Sequence, residues 1–182
     1  MKILQKLEIN EVRTDLKQRL LDRFTGQIPS VYLALANSPD LALQLMDHFD
    51  GFRLRDGLPP RLNEFVLLRV TAIRNADYEW HYHEVISERM GITKEERNKL
   101  RLPLNQADWA TNELAVLEAV DELLAEGATL SEKSTDQLRA IGLVGSAIIE
   151  LIFLVGAYAT LCSFINSIDL QRDQLAGDPK NE

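Results

Sequence analysis

The chain has 182 residues, with 20 Lys and Arg against 28 Asp and Glu, a net charge of −8. Hydrophobic residues at 46 % and charged residues at 26 % exclude a disordered or collagen-like polymer. The acidic balance argues against nucleic acid or an anionic membrane as partner, and the single cysteine, Cys162, excludes an intramolecular disulfide or a two-cysteine redox cycle within one chain.

The predicted elements are all helical. The first residues carry recurring charges and no apolar run of signal-peptide length, so the expected compartment is the cytoplasm. Apolar residues spaced at three and four (Val12, Leu16, Leu20, Phe24) predict a helix over 11–24. A short helix opens at or near Ser30 and runs through Val31, Leu33 and Leu35. Ser38-Pro39 reads as an N-cap followed by proline at the first helical position, starting a helix that stops near Gly51. Gly57-Leu58-Pro59-Pro60 is a breaker, and Pro60 starts the next helix, to about Asn75. Asp77 then caps a helix from Tyr78 to Met90, with Gly91 as its left-handed terminator.

Thr93 to Glu96 reads as a capping box for a short helix that ends before Pro103. A longer amphipathic helix starts at Asp108 or Thr111 and runs to Glu126. Ser131 caps another to Ala140, and an apolar helix spans 146–168. Within 141–168 the only charge is Glu150. This segment reads as a helix covered by its own domain or by neighbouring subunits, not as a membrane span. The expectation is an all-α chain of about eight or nine helices forming one domain, 1–182, with a frayed tail at 177–182.

The chemistry-bearing residues crowd between Glu64 and Glu88. Two of the three histidines, His81 and His83, lie in the helix 78–90. Glu79 and His83 are four apart and share a face that Trp80 borders, whereas His81 points roughly the opposite way. Two histidines so placed do not easily clamp one metal, and neither Glu-x-x-His nor His-Glu-x-x-His occurs, so no metal is expected, a site from Glu79, His83 and one more distant ligand being the alternative; the acid–base reading needs no bound cofactor. A carboxylate beside an imidazole on a buried face is an acid–base pair, and Glu64 joins it if helices 61–75 and 78–90 form a hairpin. The alternative is a structural Glu79–His83 pair, with Glu64 at the surface facing Arg61 or Arg69.

Three segments, Leu58 to Val70, Asn75 to His83 and Gly91 to Glu96, resemble the carboxymuconolactone decarboxylase family, which includes the alkylhydroperoxidase D-like proteins. Ala119 to Leu124 and Glu150 to Tyr158 also resemble members of this group, so the likeness covers about 35–168, with 1–34 as an N-terminal helical extension. The resemblance implies an all-helical fold assembling as a homotrimer or homohexamer, with the signature helix at a pocket lined by subunits. Peroxidase members carry Cys-x-x-Cys-x-x-x-His with a glutamate upstream. Here the histidine falls on His83 and the glutamate on Glu64, but the cysteines fall on Ala76 and Glu79. That departure puts thiol-based peroxide reduction in doubt.

The remaining set resembles the cysteine-free decarboxylase side of the family. The resemblance then implies a small-molecule enzyme acting on a lactone or unsaturated carboxylic acid. His83 would donate a proton, Glu79 would orient or recharge it, and Glu64 would be a second carboxylate. Tyr78, Trp80 and Arg69 are the candidate substrate contacts, with Arg74 a further cation. The alternatives are a peroxidase-related activity and a non-enzymatic homo-oligomeric binding protein.

Overall fold

The computed structural model describes residues 4–54 and 57–175; the expected frayed tail at 177–182 lies outside them. Among the described residues there are nine α-helices, one 3-10 turn and no strand. The helices are α1 (Thr14–Arg23), α2 (Ser30–Leu35), α3 (Pro39–Leu54), α4 (Pro60–Ile73), α5 (Asp77–Arg89), α6 (Lys94–Leu100), α7 (Thr111–Leu124), α8 (Glu132–Ala140) and α9 (Ser146–Ser167). They fall into two compact units, one of the described residues 4–53 and 165–175, the other of those from 54 to 164.

In the first unit α1 starts at Thr14, not at residue 11. The Glu11 carboxylate accepts the Glu8 backbone N–H at 2.8 Å, and Glu11 N–H bonds the Glu8 carbonyl at 2.9 Å, closing a turn that delays the helix. Ser30 is the first residue of α2, as the sequence predicts, and the side chain that caps it comes from the C-terminal segment. Asp173 accepts the Ser30 backbone N–H at 2.7 Å and also its hydroxyl, and Lys6 Nζ donates to Ser30 Oγ at 2.8 Å. A carboxylate at a helix N-terminus satisfies an otherwise orphaned donor and complements the helix dipole. Helix α3 runs through Gly51 to Leu54, because glycine weakens a helix without ending it when neighbours continue the hydrogen bonding.

In the second unit α4 is the hub, packing against α5, α6 and α7. Pro60 stands at its first position, as the sequence predicts, and its middle is buried nearly all round. Phe65 and Leu68 of α4, Trp80 of α5, Ile92, Leu100 of α6 and Leu117 of α7 form one apolar cluster. Each such side chain contributes about 1.5–3 kcal/mol on burial. Arg61 ties the start of α4 outward, bonding the Gly91 carbonyl, Glu96 and Glu113. The capping box of Thr93 and Glu96 forms as expected, and Gly91 is left-handed at φ +73°. The 3-10 turn Leu104–Gln106 has no counterpart in the sequence reading.

Helix α9 has 22 residues and a mean hydropathy of 2.1, long and apolar enough to cross a membrane. Within the second unit Leu151, Leu154, Val155 and Cys162 are buried, while Ile149 and Phe153 are 57 % and 61 % exposed. The helix therefore has an inner apolar stripe that is covered and an outer one that is not.

Candidate functional site

Helices α4 and α5 form an antiparallel hairpin through a turn at Arg74, Asn75 and Ala76. Asn75 adopts φ +49°, a left-handed conformation that asparagine tolerates better than most residues, and Ala76 N–H bonds the Thr71 carbonyl at 2.9 Å. Ala76 is the N-cap of α5 and Asp77 its first residue, one position from the expected cap. The hairpin brings Glu64, near the start of α4, level with His83 on α5.

There the Glu64 Oε2 and His83 Nδ1 are 2.8 Å apart. Glu79 lies one turn before His83 on the same helix, its Oε2 3.6 Å from His83 Nε2. The imidazole is thus held between two carboxylates, tightly on one nitrogen and loosely on the other. All three are buried, with exposures of 6 % for Glu64, 6 % for Glu79 and 5 % for His83. Glu64 is therefore not the surface residue of the structural alternative. Arg61 is committed to Glu96 and Glu113, and Arg69 to Asp121.

Burial on its own would lower the His83 pKa, because it disfavours the cation. The Glu64 hydrogen bond, the looser Glu79 contact and the charges of both carboxylates outweigh it and raise the imidazole to about 9. At neutral pH His83 is an imidazolium with Nδ1–H donated to Glu64. The Nε2–H edge, too far from Glu79 for a direct hydrogen bond, is the one able to serve a third group.

A third element faces this pair. The Tyr158 ring of α9 stands edge-on to the His83 ring, with centroids 5.6 Å apart at 70°. One turn later on α9, Cys162 is buried, and its thiol is pushed up to about 12, mainly by burial and further by the Glu79 charge, against a smaller opposing effect of Arg74. Neither residue is singled out by the sequence for this site. Their only signal is the i, i+4 spacing of a tyrosine and a cysteine within an apolar helix.

The other expected contacts lie elsewhere. Trp80 is built into the apolar cluster, with Arg101 stacked over its ring at 3.8 Å. Tyr78 is 2 % exposed, and its ring lies 5.2 Å from that of Tyr82. Arg69 sits five residues after Glu64, about 140° around α4. Its guanidinium grips both oxygens of Asp121 at 2.7 Å and the carbonyls of Leu100 and Leu102 at 2.8 and 2.7 Å. His81 is half-buried beside Tyr82, with ring centroids 6.4 Å apart. Among the described residues no group of three or more His, Cys, Asp or Glu is arranged to hold a metal ion.

Residues 39–122 match the family model described as the carboxymuconolactone decarboxylase family. No curated protein matches the chain. Several solved structures do. A peroxidase-related protein from Ralstonia eutropha JMP134, described as an alkylhydroperoxidase AhpD core, superposes with a TM-score of 0.82 at 19 % identity, over 92 % of this chain and 90 % of that one. A peroxidase-related protein from Silicibacter sp. TM1040 gives 0.80 at 13 % identity, over 94 % and 93 %. The debrominase Bmp8, in a variant bound to 2,3,4-tribromopyrrole, gives 0.75 at 19 % identity, over 95 % and 92 %. At these identities the likeness establishes a shared fold.

Proposed function

We propose that this chain is a small-molecule acid–base enzyme: residues 39–122, which match the carboxymuconolactone decarboxylase family model, supply the helices that carry Glu64, Glu79 and His83. Its substrate class is a lactone acid or a related unsaturated carboxylic acid. The observation that carries the reading is the imidazole gripped at 2.8 Å by Glu64 on Nδ1 with Glu79 at 3.6 Å from Nε2.

In the proposed step the substrate's C–C bond to its carboxylate breaks and carbon dioxide leaves. The electron pair remains on the unsaturated ring as a dienolate. His83 Nε2–H protonates the dienolate carbon, and Glu79 passes a proton from water back to the imidazole. Glu64 keeps the ring oriented and supports its positive charge throughout, as a carboxylate does for an imidazole in other acid–base sites. A positioned acid of this kind contributes roughly 10²–10⁴-fold to rate.

A thiol peroxidase fits these residues poorly. The expected nucleophile positions hold Ala76 and Glu79, and the one thiol, Cys162, stays protonated at neutral pH. The exposed stripe of α9 around Ile149 and Phe153 supports self-association, since monomers rarely leave such a surface open.

The test is turnover of a lactone-acid panel, with carbon dioxide release measured for the native chain, His83→Ala and Glu79→Gln. Release by the native chain and its loss in His83→Ala support the reading; equal rates in all three overturn the assigned roles.

A further inference from the structure

Around α4 from Glu64, on the side occupied by Arg69, a cleft of about 390 Å³ opens between α4, α7 and the segment after α6. Its base is the Arg69–Asp121 pair, in which both carboxylate oxygens are gripped by one guanidinium, so the two charges cancel. Ile73, Pro103 and Leu104 give it apolar walls. The remaining charge is Arg101, an exposed guanidinium at the rim.

Arg101 makes no ion pair among the described residues. Its guanidinium carbon lies 3.8 Å from the centroid of the Trp80 ring, which holds it in place without neutralising it. The cleft thus presents one net positive charge beside apolar walls, on a chain whose own charge is −8. Its volume is at the small end of the roughly 300–1,000 Å³ range of ligand pockets.

We propose that this cleft is a binding site, separate from the His83 centre, for a small monocarboxylate with a flat apolar body. The carboxylate pairs with Arg101, and the body lies against Ile73, Pro103 and Leu104. One unopposed cation matches one negative charge. A second carboxylate would sit on apolar walls or against Asp121, where burying an unpaired charge is costly. A phosphate dianion, which needs several converging donors, finds only one free guanidinium here.

The experiment titrates benzoate, and benzamide as its uncharged counterpart, into the full chain by calorimetry, with backbone amide shifts followed by NMR. Saturable benzoate binding is expected, with shift changes centred on 72–73 and 101–104, and benzamide at least tenfold weaker. Arg101→Gln is expected to weaken benzoate about tenfold or more, the loss of one charge-assisted contact. Arg101→Lys keeps most of the affinity, and His83→Gln leaves it unchanged. Absence of saturable benzoate binding up to about 10 mM, equal affinity in Arg101→Gln, or shifts centred on 79–83 and abolished by His83→Gln would each overturn the proposal. If Arg101→Gln fails to fold, the shift map of the native chain and the benzamide comparison still decide it. Because the His83 step is read by carbon dioxide release, either reading can fail without the other.

Discussion

Glu64 and His83 are nineteen residues apart, yet the hairpin of α4 and α5 sets Glu64 Oε2 2.8 Å from His83 Nδ1 inside the protein. A buried carboxylate–imidazole contact of that length favours the charged ring. Its consequences reach from proton chemistry to the pH dependence of folding.

The first consequence concerns stability. The free imidazole titrates near 6.5 and the folded one at about 9, so folding favours the protonated form. That contribution is fully present below pH 6.5 and is lost as pH rises through about 9, an effect of about 3 kcal/mol. Urea unfolding at pH 6 and at pH 9.5 should show the native chain losing stability at the higher pH and His83→Gln losing much less. Equal losses in both proteins would remove the imidazolium from the explanation.

Glu64 and Glu79 should contribute unequally. Glu64→Gln removes the shorter contact and should lower the His83 pKa by more than a unit, whereas Glu79→Gln, at 3.6 Å, should lower it less. Histidine titration curves of the two variants are the check, and the reverse order would reassign the orienting carboxylate.

How far the sequence reveals this site depends on the span of each contact. Pro60 at the first position of α4, the breaker before it and the spacing of Glu79 and His83 make the hairpin readable, because local rules govern starts, stops and faces. Tyr158 and Cys162 approach from α9, 75 residues beyond His83 and 83 beyond Glu79 respectively, a span no local pairing rule covers, and only tertiary packing reveals them. Arg69 lies apart from His83 for a related reason. It is a candidate because a substrate carboxylate wants a cation, and the partners it has in the structure, Asp121 and two carbonyls, come from segments whose approach no local pattern encodes. The cap of α5 differs from expectation by one position, because Asp77 itself takes helical geometry and Ala76 stands at the N-cap.

Arg69 should therefore act on stability. Arg69→Ala leaves the carbonyls of Leu100 and Leu102 without their donor and Asp121, itself about one-third exposed, without its partner, a loss of about 1–3 kcal/mol. Chemical denaturation checks this; a cost under about 1 kcal/mol, the scale of an exposed ion pair, would contradict the bolt-like role.

Cys162 should be chemically quiet. Its burial and its thiol pKa of about 12 predict slow alkylation in the folded chain and no change in any peroxide-dependent activity on Cys162→Ser. Rapid labelling, or peroxide turnover that disappears with the thiol, would show otherwise.

Self-association through α9 is open to sedimentation equilibrium. The native chain should have a mass that is a multiple of 20.6 kDa, and Ile149→Glu with Phe153→Glu should reduce it to a single chain. A native mass of one chain at micromolar concentration would refute the contact.

The most direct measurement is an NMR pH titration of the His83 ring in the native chain, assigned by comparison with His83→Gln. A ring between two carboxylates should remain an imidazolium through neutral pH, with Nδ1 protonated, and titrate at about 9. A His83 that is neutral at pH 7, titrating at or below the ordinary value near 6.5, would contradict the proton-donor role on which the proposed reaction rests.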